Sequence, residues 1–268
     1  MLLPDKTPAA VSPVMIDFII GSLSAFLGLL FSSSGGELAA VIRSPFPREP
    51  ALRLTLSISL LALLTASLLT RDGIFSGAAL LSRWQTLLIL IPFTWFGVWL
   101  GRRSDSGSTT GLIWLLGYGV FLLLYPFLIG HRLDFHSEIL RPVSMVAVSV
   151  VAGYYTGRFG VGAEPIYISS LVLFHDLSFA SARTITWATT TLGLFLSLVL
   201  ASRHRPPGEG VAVARRLPAT SAIVGALLAT WLVPKPVWPW ASIAMGSLIT
   251  FCGLVSSRAS VAARHVMK

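Results

Sequence analysis

The chain has 268 residues, of which 54% are hydrophobic and only 12% charged, whereas an ordinary soluble domain carries about 25% charged residues. Mean hydropathy is +0.78. These values exclude a water-soluble enzyme, a disordered chain and a disulfide-stapled scaffold, because none combines so little charge with so much apolar surface.

The formal net charge is +9. The cations lie in short runs between apolar segments: Arg43, Arg48 and Arg53; Arg102 and Arg103; Arg203, Arg205, Arg215 and Arg216; Arg258, Arg264 and Lys268. That is the distribution of membrane loops, where Lys and Arg set orientation. No compact basic domain exists to bind nucleic acid. Cys252 is alone and the five histidines are scattered over separate connections, so neither a disulfide nor a metal site is expected. No cofactor is expected.

A helix needs about 20 apolar residues to cross the hydrocarbon core. After a polar lead-in from Met1 to Val14, eight segments qualify. They run roughly over 15–34, 51–70, 80–100, 110–130, 142–161, 180–201, 211–233 and 237–256. Charge or proline fills each gap, and most tryptophans (Trp84, Trp99, Trp114, Trp231, Trp238, Trp240) stand near segment ends, where amphipathic rings favour the headgroup region. Trp95 and Trp187 lie further inside. The expected fold is an all-α polytopic membrane protein.

Two segments end unusually. The first runs into Ser32-Ser33-Ser34-Gly35-Gly36-Glu37, the fifth into Gly157-Arg158-Phe159-Gly160-Val161-Gly162-Ala163-Glu164-Pro165. Small residues, an acid and unwound backbone at membrane depth survive only where protein or a water-filled cavity satisfies them. A shift of 127 residues, the separation of Gly35 from Gly162, places Glu37 on Glu164. With three further residues in the second copy, Arg53 falls on Arg183, Ser59 on Thr189 and Ser67 on Ser197. Two repeats are expected, over 1–134 and 135–268, each opening with a Gly-interrupted helix. Such interrupted segments in corresponding positions point to a transporter's binding site. If they cross fully the repeats run parallel; if they are re-entrant the repeats are inverted, the arrangement preferred here. The count of Lys and Arg does not separate the two layouts, and both put the C-terminus in the cytoplasm.

At these residues the chain resembles the TauE/SafE sulfite exporter family of membrane permeases. The second half carries Ala152-Gly153-Tyr154-Tyr155-Thr156-Gly157-Arg158-Phe159-Gly160-Val161-Gly162-Ala163-Glu164, and Ala182-Arg183-Thr184-Ile185-Thr186 stands where the family heads its next helix. Gly28 to Glu37 is a degraded first copy. Ala163 and Glu164 depart from the family's glycines. The resemblance implies a secondary transporter in the inner or plasma membrane, exporting sulfite, an organosulfonate such as sulfoacetate, or a related sulfur anion. Its partners would be that anion and the lipid bilayer, with a homodimer left open.

Moving such an anion needs positive potential in a low-dielectric passage. Gly35, Gly36, Gly160 and Gly162 would expose backbone N–H groups to it. Arg53, Arg158 and Arg183 would offer planar donor forks. Thr186 and Thr190 would add hydroxyls; with Gly193 and Ser197 they share one helix face. Simpler readings stand beside these. Arg53 and Arg183 would serve equally as interfacial anchors, Arg158 as a snorkelling cation, and the hydroxyls and the Gly153/Gly157 pair as helix packing. Glu37 and Glu164 are expected to take up protons, since an acid within a span marks an ion path; the rival role is capping a half-helix. The alternative function is a passive anion channel or a permease for another small anion. An intramembrane enzyme lacks support, as no His pair, paired aspartates or Gly-x-Ser-x-Gly elbow is present.

Overall fold

The computed structural model describes residues 13–30, 33–37, 49–70, 83–104, 108–129, 140–203, 217–232 and 239–266. Among them the regular structure is entirely helical. The helices are α1 (Pro13–Leu30), α2 (Glu49–Leu69), α3 (Trp84–Arg103), α4 (Ser108–Ile129), α5 (Leu140–Phe159), α6 (Glu164–His175), α7 (Phe179–Arg203), α8 (Leu217–Leu232) and α9 (Pro239–Val266). Every expected apolar segment has a helix over it. The differences lie at the ends: α1 stops at Leu30 and α9 continues to Val266, while residues 211–216 of the seventh expected segment lie outside the described residues.

Among the described residues, three helical stretches are long and apolar enough to cross a membrane: Leu52–Leu69, Trp84–Arg103 and Phe179–Ser202. Four more, Phe18–Leu30, Leu115–Ile129, Thr220–Trp231 and Trp240–Cys252, are apolar but shorter. Large apolar side chains also face outward, among them Leu88, Trp95, Phe96, Phe127, Phe195 and Phe251. Outward aromatics over apolar helices suit a lipid surround better than water. The described residues are therefore consistent with a helical membrane protein.

Helix α6 lies between the fifth and sixth expected segments, and its direction decides the architecture. It folds back along α5. Tyr167, in its first turn, lies near the Ser149 carbonyl (3.5 Å). His175, at its end, meets Ser144 (3.3 Å), and Asp176 pairs with Arg141 (3.3 Å) at the start of α5. Thus α5, the break and α6 form a hairpin that returns to the end where it began. With 12 residues, α6 rises about 18 Å, too short to span.

The long helices pair in definite directions. Helix α2 lies antiparallel to α7: Arg53, near the start of α2, donates through Nε to the Ala201 carbonyl near the end of α7 (3.1 Å). Helices α4 and α9 are also antiparallel, with Gly119 against Thr250 and Gly246 against Leu123. Helix α3 lies parallel to α5, and α1 parallel to α8. In the α3–α5 pair, Gly97 and Gly101 face the carbonyls of Val150 and Tyr154, while Gly153 and Gly157 face those of Thr94 and Val98. The two backbones interlock without side chains between them, the close approach that small residues permit in membranes. Ser22 similarly donates to the Ser221 carbonyl (3.0 Å) where α1 meets α8.

Two measurements probe this packing. A Cβ on Gly157 would lie 2.9 Å from the Val98 carbonyl carbon, whereas one on Gly117 meets only the Tyr155 hydroxyl at 3.8 Å. Gly157→Leu should therefore cost about 3 kcal/mol or more through overpacking and lower the melting temperature in detergent; Gly117→Ala should leave it unchanged. At the hairpin's outer end, burial and then the Arg141 cation hold the His175 pKa below its ordinary 6.5, against a smaller opposing effect of Asp176. The native state keeps this imidazole neutral while the unfolded chain protonates first. Stability is thus fullest above the unfolded pKa and declines as pH falls below it. The melting temperature should fall less on acidification in His175→Gln than in the parent chain.

Candidate functional site

The two breaks meet each other. In the first, Ser33 N–H still reaches back to the Gly28 carbonyl (3.0 Å). Gly35 then turns the chain with φ +81°, a left-handed conformation that glycine adopts at no steric cost. It lies against Ala25 and Gly28 of α1, and its carbonyl accepts the Ser24 hydroxyl. Helical backbone resumes at Gly36 and Glu37. In the second break, Gly160 has φ +75° and Ala163 φ +53°, the latter capping α6 ahead of Glu164 and Pro165.

Gly36 is the point of contact. A Cβ there would lie 3.2 Å from the Gly160 carbonyl oxygen and 3.3 Å from the Thr55 methyl, and would collide with the Ser59 hydroxyl. Ser59 of α2 donates to the Gly160 carbonyl (3.1 Å). From the opposite side Thr190 of α7 reaches the Gly162 carbonyl (3.5 Å). The α2–α7 pair therefore supplies the hydroxyls that satisfy carbonyls freed by the second break, as nonhelical backbone away from water requires.

Glu37 and Glu164 lie at the centre of this arrangement, 1% and 0% exposed. One side chain joins them: the Ser33 hydroxyl contacts Glu37 Oε1 and lies 3.2 Å from Glu164 Oε2. The Tyr118 phenol of α4 donates to the same Glu37 oxygen (3.1 Å). Backbone N–H groups add to both: Gly35 and Glu37 serve the Glu37 carboxyl, Ser34 and Glu164 the Glu164 carboxyl. Glu37 Oε2, Glu164 Oε1 and the Ser34 hydroxyl are buried without a hydrogen-bond partner among the described residues. Around the acids stands an aromatic wall. The Tyr118 and Tyr155 rings are 5.1 Å apart, and Tyr155 continues to Phe159 at 5.7 Å.

The arginines do not gather here. Arg183, 4% exposed, lies over the rings of Trp187 (5.4 Å) and Phe179 (5.9 Å), a cation–π setting for a desolvated guanidinium. Arg53 is at the far end of the α2–α7 pair, on the Ala201 carbonyl. From residue 183 to residue 201 the helix rises about 27 Å, so these two arginines cannot hold one anion together. Arg158 is half-buried where α5 packs on Gly101. Of the hydroxyl face on α7, Thr190 serves the break, a Cβ on Gly193 would lie 3.1 Å from the Thr94 methyl of α3, and the Thr186 and Ser197 hydroxyls are buried without partners among the described residues.

Three residues of the cluster have no sequence signal of their own. Ser33 is one of three consecutive serines, and its neighbours do not mark it. Tyr118 and Tyr125 are aromatic positions on α4, like many lipid-facing ones; both are fully enclosed, and the Tyr125 hydroxyl has no partner among the described residues.

No family model, no curated protein and no solved structure matches the chain.

Ala163 holds a left-handed conformation that costs an L-residue roughly 1–2 kcal/mol. Its counterpart at the shift of 127 is Gly36. Ala163→Gly should thus stabilise the protein by up to about 1 kcal/mol, after the greater freedom of an unfolded glycine is deducted. A lowered melting temperature in this variant would contradict the strain.

Proposed function

We propose that the chain is a proton-coupled secondary transporter, exporting a small sulfur-containing anion across the inner or plasma membrane, with its C-terminus in the cytoplasm. The observation that carries this reading is the convergence of Glu37 and Glu164, one from each break, on a single hydroxyl in a fully buried cluster. Ionised acids away from water are costly and mark proton or ion paths. A proton delivered here removes charge that the interior does not solvate.

The helix pairing supports an inverted repeat, with α1 to α4 as one half and, the short α6 set aside, α5, α7, α8 and α9 as the other. Under a two-fold axis in the membrane plane, each half's first helix should pack on the other half's third helix. Helices α1 on α8 and α5 on α3 have that relation. The second helices, α2 and α7, should pair with each other in opposite directions, and so should the last, α4 and α9; both pairs are antiparallel. Repeats arranged so, with broken helices at their interface, are a transporter's means of exposing one site to either side. The class of substrate comes from the resemblance to the TauE/SafE family. Arg183 is the cation best placed to meet such an anion, since it is buried on α7, the helix that also carries Thr186 and Thr190.

Purified protein in proteoliposomes should transport sulfite or sulfoacetate with saturable kinetics, driven by a pH gradient. Glu37→Gln and Glu164→Gln should each abolish the dependence on that gradient. Arg183→Ala should cut anion flux about 100-fold, while Arg53→Ala, far from the acids, should cost little; the estimate for Arg183 assumes loss of a charge-assisted, bidentate contact worth about 3 kcal/mol. Non-saturating flux indifferent to pH would leave a passive channel instead.

A further inference from the structure

The hydrogen bonds around Ser33 can be counted. A serine hydroxyl has one proton to donate and lone pairs to accept. Ser33 Oγ lies within hydrogen-bonding distance of two carboxyl oxygens, Glu37 Oε1 and Glu164 Oε2. If both acids were ionised, only one of these contacts could contain a hydrogen, and the other would press two electron-rich oxygens together. Glu37 Oε1 also accepts from the Tyr118 phenol. A single proton shared by the two acids satisfies every contact in either of two ways: Glu164 Oε2–H donates to Ser33 Oγ and Ser33 Oγ–H to Glu37 Oε1, or Glu37 Oε1–H donates to Ser33 Oγ and Ser33 Oγ–H to Glu164 Oε2, the Tyr118 O–H donating to Glu37 Oε1 in both.

We infer that Ser33 is a proton relay, holding one shared proton between the acids of the two breaks and passing it from one to the other. The inference rests on the proton-coupled reading above for its role in transport. In the transfer, the O–H bond of Glu164 breaks as its proton bonds to Ser33 Oγ. The original Ser33 O–H bond breaks at the same time, and that proton bonds to Glu37 Oε1. Glu164 becomes the carboxylate, Glu37 the acid, and Ser33 is restored. No electron is gained or lost, and no other reactant is needed.

A second observation concerns the oxygens around the bridge. The Ser34 hydroxyl is fully buried and without a partner among the described residues, and Ser34 N–H binds the Glu164 carboxyl. With Glu37 Oε2 and Glu164 Oε1, it leaves three buried oxygens beside the bridge without a hydrogen-bond partner among the described residues. Among the described residues, the Tyr118 phenol is within electrostatic range of both acids, and the Tyr125 and Tyr167 phenols of Glu164; Tyr125 is also within range of the Arg183 cation.

Infrared spectroscopy of the full chain in lipid tests this without any substrate. The parent protein at neutral pH should show the carbonyl band of one protonated carboxylic acid, absent from the Glu37→Gln/Glu164→Gln double variant. Ser33→Ala should shift that band as the acid loses its acceptor, and Ser33→Thr, which keeps the hydroxyl, should restore its position. In proteoliposomes Ser33→Ala should slow proton-coupled flux about 100-fold, the lower range of what a positioned proton-transfer group supplies, with recovery in Ser33→Thr. A parent protein without the band, or with two protonated acids, overturns the inference. So does a band that disappears when sodium replaces choline at fixed pH, since a cation rather than a proton would then lie between the acids. Should Ser33→Ala fail to fold, the parent spectra and the sodium comparison still decide. Absence of sulfite or sulfonate flux with the band present would remove the proposed substrate and leave the relay standing.

Discussion

One hydroxyl between two buried acids is the constraint on which the rest of this architecture depends. Placing Glu37 and Glu164 on Ser33 requires each break to end in the same small volume. Each must therefore contain residues without bulk. Gly35 and Gly160 turn the chain, and Gly36 lets one break touch the other. Alanine at Gly36 would put a methyl onto the Ser59 hydroxyl and against the Gly160 carbonyl. The glycines are there because two polar strands of backbone cross where no water is available to separate them.

The surrounding helices answer the needs of that crossing. Helices α2 and α7 face it from opposite directions and contribute Ser59 and Thr190 to freed carbonyls. Helix α4 contributes Tyr118 to an acid. Helix α3 contributes no ligand to the acids. It fixes α5 by backbone interlocking and anchors α6 through the Thr94–Tyr167 hydroxyl pair. Many of the polar groups inside are accordingly arranged in short local sets, tied to a nearby carbonyl or hydroxyl. That is how a chain with so few charges can keep two acids at its centre.

Much of the fold was legible from composition. Charge and proline interrupt the apolar segments because neither tolerates hydrocarbon, so helix positions follow to within a few residues. The breaks were legible for the opposite reason: Gly, Ser and Glu stand where an uninterrupted apolar run was due. The return of α6 along α5 was not legible. Its ten residues from Glu164 to Leu173 are all buried, and a helix enclosed on every side has no apolar stripe from which to read its neighbour. The direction of α6 depends instead on Ser144, Ser149 and Arg141, which become its partners only after folding. Tyr118 escaped notice similarly, because nothing within α4 distinguishes a tyrosine that reaches Glu37 from one that faces lipid.

Matched position in two repeats does not imply a shared site. Arg53 and Arg183 occupy corresponding places in the sequence comparison, yet α2 and α7 run in opposite directions, so equivalent residues near their starts end up at opposite ends of the pair. Glu37 and Glu164 also correspond, and they meet. Under the inverted arrangement proposed above, distance from the symmetry axis would separate equivalent residues, and only those near the axis would converge. Arginines therefore provide two separate positively charged ends, one at each side of the α2–α7 pair, whereas the acids provide one centre. For a carrier of anions such an arrangement has a physical logic. An anion entering from either end would find a cation on its way, while the single site that exchanges protons would be common to both directions.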